Sequence, residues 1–216
     1  MKIGPLVQAT SITAVAVFFM AATTKASTIT FNTNAAGTMF AGDGLTLNSS
    51  VGAAGTLTFT PDGDTTFGMP SNVNFGIFTL ACRTCSTQAI GTGSFFNSFT
   101  FLLVISDITD GGSGLFTGTS SGGSVWSDVS QITIAWVPLT LGPGAANATS
   151  GNFGNSIFEI VSPTPIVAPN SGNNVGESTV QGHVDASAVP EPETLSLTGC
   201  ALFGLGMLRR KAARRQ

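Results

Sequence analysis

A few residues in this chain have types and spacings that could do chemistry. Cys82-Arg83-Thr84-Cys85 is a CxxC pair. Its thiols could bridge, remain free, or serve a metal or redox site. Along a strand the two Cα atoms would lie roughly 10 Å apart, whereas a disulfide needs less than about 7 Å. A bridge therefore requires Arg83-Thr84 to form a tight turn that ends the preceding strand. Ser86 stands where haem attachment would require His, and only His183 and Cys200 remain to complete a zinc site. Gly118-Thr119-Ser120-Ser121-Gly122 spells GxSxG, which in hydrolases sets a serine on a strand-turn-helix elbow. Here it lies in a Gly/Ser run with no helical pattern after it, and His183 is the only histidine. Asp62-Gly63-Asp64 and Asp107 with Asp110 place carboxylates on loops. Calcium wants six or more oxygens, and Asp-Gly is ordinary turn chemistry. These patterns assign no catalytic residue, metal or cofactor, and the chain reads as a non-enzyme.

The elements around these residues follow a period of two. Phe99, Phe101, Leu103 and Ile105 share one face of a strand, as do Ile132, Ile134 and Trp136. That places Trp136 in a core and leaves Trp126 open as a stacking surface. Leu57 and Phe59 alternate, and so do Val73, Phe75 and Ile77. Segments 28–31, 125–129, 157–161 and 180–184 are weaker strand candidates. Gly42-Asp43-Gly44, Pro61 to Asp64, Asp110 to Gly114 and Gly142-Pro143-Gly144 separate the strands. Residues 111–124 read as an exposed Gly/Ser/Thr loop or hairpin, and 162–176 as a long irregular connection. Short Thr- and Phe-rich strands between such turns predict an all-β fold, an antiparallel β-sandwich over residues 27–185.

Composition supports this class. Of 216 residues 27 are Gly, 16 are Phe and none is Tyr, and charged residues make up only 9%, against a usual figure of about 25%. The distribution of charge says more than the net value of −3. Between Ser27 and Ala188 the one base is Arg83, against nine acids. Phosphate binding needs a Lys/Arg surface, so nucleic acid is excluded as a partner.

The remaining bases lie at the two ends. Residues 1–26 place Lys2 before an apolar run, Ile12 to Ala22, and end on Thr24-Lys25-Ala26. This is the pattern of a signal peptide handled by the Sec machinery and cut by signal peptidase after Ala26. At the other end, residues 186–216 contain Val189-Pro190-Glu191-Pro192, then the uncharged stretch Leu195 to Leu208, then Arg209, Arg210, Lys211, Arg214 and Arg215. Fourteen helical residues reach roughly 21 Å against about 30 Å of hydrocarbon, which is a marginal span. The basic residues at 209–216 read as a stop-transfer signal kept on the cytoplasmic side.

The order of Pro-Glu-Pro, short apolar helix and Arg-rich end resembles the PEP-CTERM sorting signal of Gram-negative bacteria. The resemblance covers residues 189–216 only. It implies recognition and cleavage by the membrane transpeptidase exosortase near Val189, Pro190, Glu191 and Pro192, with the 195–208 helix as a transient membrane anchor. It also implies delivery to the cell surface or an exopolysaccharide matrix. The expectation is an exported, non-enzymatic structural or adhesive protein. The alternative is a carbohydrate-binding module that retains exopolysaccharide. In an exported chain the Cys82-Cys85 pair favours a structural disulfide, with free thiols as the other main reading.

Overall fold

The computed structural model of the chain describes residues 28–137, 150–153, 156–170, 174–186 and Gly199. From Thr28 to Ala186 strand is the only regular element described. In chain order the strands are β1 (Thr28–Asn32), β2 (Met39–Phe40), β3 (Thr46–Asn48), β4 (Val51–Gly52), β5 (Gly55–Pro61), β6 (Thr65–Gly68), β7 (Ser71–Cys82) and β8 (Ser94–Phe96). They continue with β9 (Phe99–Asp107), β10 (Ser113–Ser120), β11 (Gly123–Val125), β12 (Thr133–Val137), β13 (Ser150–Phe153), β14 (Ser156–Ile160), β15 (Thr164–Pro165) and β16 (Val175–Ala186). The protein is all-β, and its sheets are antiparallel.

The first sheet runs β15-β12-β10-β9-β1-β6, with β2 also paired to β9. The second runs β13-β14-β16-β7-β5-β3, and a small third sheet runs β11-β8-β4. Alternation determines which side chains face inward. On β9 the buried residues are Phe101, Leu103, Ile105 and Asp107, and on β12 they are Ile134 and Trp136. On β5 they are Gly55, Leu57 and Phe59.

Phenyl rings join the two large sheets. Phe101 of the first sheet lies 4.7 Å from Phe59 and 4.9 Å from Phe78 of the second, centroid to centroid. Phe31 of the first meets Phe75 at 5.4 Å and Phe158 at 5.8 Å. Each buried Phe contributes about 1.5–3 kcal/mol by leaving water, and tilted ring pairs add about 0.5–1.5 kcal/mol. Phe suits such a core because it leaves no hydroxyl to satisfy, which accounts for the use of Phe without Tyr. On the outer faces Thr pairs across strands take over: Thr30 with Thr66 at 2.8 Å and Thr46 with Thr58 at 3.3 Å.

Three local expectations need correction. Of the exposed loop or hairpin expected over residues 111–124, the hairpin forms, pairing β10 with β9, but the segment is not an exposed one. It holds β10, an interior strand between β9 and β12 with Phe116 fully buried. Gly118 lies opposite Trp136 in register, and a Cβ there would come within 2.6 Å of Ile134 and 3.2 Å of Trp136. The indole uses that space, so the glycine serves packing. Next, Val73, Phe75 and Ile77 do not share one face. The register to β16 shifts between Thr179 and Gln181, and at Gly76 the backbone takes φ +131°. The bulge moves burial from Val73 and Phe75 to Phe78 and Leu80, leaving Ile77 half-exposed. Finally, residues 125–129 are not a strand. β11 ends at Val125, and the Trp126 N–H donates to the Val129 carbonyl at 2.7 Å, closing a turn.

Candidate functional site

β7 ends at Cys82 and Arg83-Thr84 turn immediately after it. Cys82 and Cys85 are bonded, with Cα atoms 5.5 Å apart. The residues after the bridge form a loop tied down by polar contacts. The Ser127 N–H donates to the Ser86 carbonyl at 2.9 Å, and the Gln88 N–H donates to Asp128 Oδ1 at 2.8 Å. Trp126 lies half-buried against Gly93, and its indole N–H is enclosed without a partner among the described residues. Trp136 is core, and its indole N–H donates to Thr164 Oγ1 at 2.9 Å.

The other candidate residues are occupied by turns and pairings. Ser120 closes β10 in the first sheet, where its Oγ accepts the Gly122 N–H at 3.2 Å. His183 lies on β16 in the second sheet with Nδ1 3.0 Å from Asn72 Oδ1. The GxSxG serine therefore precedes a turn and a strand, with no helical elbow. Asp107 is 3% exposed, and its Oδ1 accepts the N–H groups of Thr109 and Asp110 at 2.9 and 3.1 Å. It organises the β9–β10 hairpin. Asp64 accepts from Asn32 Nδ2 at 2.8 Å, while the Asp62 N–H donates to Thr33 Oγ1 at 2.8 Å and the Asp62 carbonyl accepts the Thr33 N–H at 3.0 Å. Burial raises the Asp62 carboxyl above its ordinary 3.8. Among the described residues no three His, Cys, Asp or Glu side chains gather where a metal could sit.

The termini carry the remaining candidates. Lys2, the 12–22 apolar run, Val189, Pro190, Glu191, Pro192, the 195–208 stretch (apart from Gly199) and Arg209, Arg210, Lys211, Arg214 and Arg215 lie outside the described residues. No helix among the described residues is long and apolar enough to cross a membrane.

One arrangement had no signal in the sequence. A cleft of about 650 Å³ opens between the 41–50 segment, the 97–100 segment and the end of β10. Asp43 lines it from the turn between β2 and β3, Asn48 from the end of β3, Ser50 from the approach to β4, Asn97 and Phe99 from the β8–β9 junction, and Thr119 from β10. Each looks like a turn or strand residue when taken alone, and only the pairing of sheets brings them to one place.

Comparison with known proteins finds no family model, curated protein or solved structure that matches this chain.

Proposed function

We propose that this chain is an exported, non-enzymatic β-sandwich protein, sorted to the cell surface or extracellular matrix by cleavage of its C-terminal tail. The observation that carries this reading is the order at the end of the chain: Pro190-Glu191-Pro192, fourteen uncharged residues from Leu195 to Leu208, then five bases between Arg209 and Arg215. Chance does not readily place three such features in sequence when one base occurs between Ser27 and Ala188. The basic end holds the tail at the cytoplasmic face, and the short span suits a temporary handle for a membrane transpeptidase of the exosortase type. The N-terminal Lys2, apolar run and Ala26 supply the matching export signal.

The middle of the chain supports this reading. The Cys82–Cys85 bond suits an oxidising compartment. Two antiparallel sheets locked by phenyl rings suit a durable module, and their face-to-face contacts favour the sandwich description over an open sheet. The role of such a module is structural or adhesive, within a matrix of exopolysaccharide. Replacing Pro190-Glu191-Pro192 by Ala-Ala-Ala tests the sorting. The variant should accumulate uncleaved in the cell envelope. Unchanged processing and export overturns the proposal.

A further inference from the structure

We propose that the cleft between β3, the 97–100 segment and the end of β10 binds a neutral glycan, with the Val51–Phe95 pair at its rim. The site stands on its own geometry and is independent of how the chain is sorted.

The cleft's chemistry selects the ligand class. Its walls are mainly hydroxyls and amides from Ser, Thr and Asn, with one carboxylate, Asp43, at an exposed turn. Sugar hydroxyls both donate and accept, so they can pair with every one of these groups. The Ser50 hydroxyl lies 3.2 Å from Asn97 Oδ1 and 3.0 Å from the Phe95 carbonyl. Those contacts orient the Asn97 amide and leave its NH₂ without a partner among the described residues. The side chains of Asp43, Asn48 and Ser98 likewise make no hydrogen bond among the described residues. Such groups facing a concave site are what fixes the orientation of a polar ligand.

Apolar surface is present in the amount a sugar ring needs. Phe99 is half-buried in the wall and held edge-on against Phe40 at 5.5 Å. Just outside, Phe95 is 40% exposed and Val51, its register partner, 68% exposed. The Phe95 carbonyl also accepts the Ser50 N–H at 2.8 Å, which couples this exposed pair to the cleft wall. Apolar ring surface in and next to a polar wall suits a pyranose, whose C–H faces are apolar and whose edges carry hydroxyls.

Other ligand classes fit less well. No base lines the cleft, Asp43 carries negative charge, and the segment from Ser27 to Ala188 holds nine acids and one base. Phosphates, uronic acids and other anions are repelled by that field. A divalent cation would find a single carboxylate there, too few for calcium. The volume falls within the roughly 300–1,000 Å³ of small-ligand sites, enough for a short stretch of chain.

Affinity electrophoresis of the full exported chain through gels containing laminarin, dextran, galactomannan or alginate tests the assignment. At least one of the three neutral polysaccharides should retard the protein, and the anionic alginate should not. Asn97→Ala and Asp43→Ala should each weaken that retardation about ten-fold, the usual consequence of losing one hydrogen-bonding partner in a binding site. Asp110→Asn removes the same charge at the opposite end of β9 and should leave it unchanged. Circular dichroism melts of all variants verify that they are folded. The proposal is overturned if none of the three neutral polysaccharides retards the protein. It is also overturned if alginate retards it as strongly, or if the folded Asn97→Ala and Asp43→Ala proteins are retarded like the parent.

Discussion

The two large sheets and the small third sheet draw on the same few residue types, yet different forces hold them. The large sheets meet through interlocked rings, with Phe31, Phe59, Phe78 and Phe101 at 0–1% exposure. The small sheet sends Phe96 and Val125 into that core but turns Val51 and Phe95 outward, and the nearby loop exposes Ile90 at 74%. What fixes this region is a disulfide, a set of hydroxyl and carboxylate contacts to backbone, and short strands of two and three residues. Apolar burial thus supplies stability in one part of the molecule. In the other, local bonds leave apolar side chains free to face solvent beside the cleft.

Four variants can break or sharpen that contrast. The largest effect is expected from Phe101→Ala, which removes ring contacts to Phe40, Phe59, Phe78 and Trp136. The cost should be about 4 kcal/mol, lowering Tm on the order of 10 °C for a domain of this size. A calorimetric shift of only a degree or two would mean that the rings do not hold the sheets together. Gly118→Val comes next. It forces atoms against Ile134 and Trp136 and should cost about 1–3 kcal/mol by overpacking, with a changed near-ultraviolet signal from the displaced indole. An unaltered Trp signal at full stability would show that β10 has room to spare.

Replacing both Cys82 and Cys85 by Ser opens a very short loop, for which chain entropy gives roughly 2 kcal/mol at most. Proteolysis between residues 83 and 93 should accelerate more than Tm falls. If Tm falls as far as in Phe101→Ala, the division between the two regions is wrong. The smallest effect belongs to Asp62→Asn. Burial raises the folded-state pKa of Asp62 above the ordinary 3.8, so the folded protein binds the proton more tightly than the unfolded chain. Its contribution is therefore fully present below 3.8 and is lost as pH rises through the folded value. Asp62→Asn should remove that small decline just above pH 3.8, as read from Tm against pH. A steeper decline in the variant would reverse the assigned sign.

Much of the fold was legible because burial imposes alternation. Phe99 to Ile105 and Ile132 to Trp136 show period two, and they form β9 and β12 as expected. The failures have physical causes. β10 looked like part of an exposed loop or hairpin because its Gly and Ser residues carry little hydrophobic signal, yet their smallness is what lets Trp136 pack over Gly118. Val73 to Ile77 looked like one uninterrupted face because a bulge depends on pairing with a strand some hundred residues away. The turn at Arg83-Thr84 could be deduced, since a bridged CxxC is geometrically incompatible with a strand. The cleft could not. Asp43 lies in a turn, Asn48 at the end of β3 and Asn97 between β8 and β9, and nothing local marks them as neighbours.

Export and sorting are the account's central claim, and intact mass spectrometry of the native protein from its own cells and medium tests them most directly. The account predicts a chain that starts near Ser27 and ends close to Pro192, with any added mass identifying what the new end is joined to. A mass that still includes the sequence through Gln216 would contradict cleavage, and one that also retains residues 1–26 would contradict export by this route.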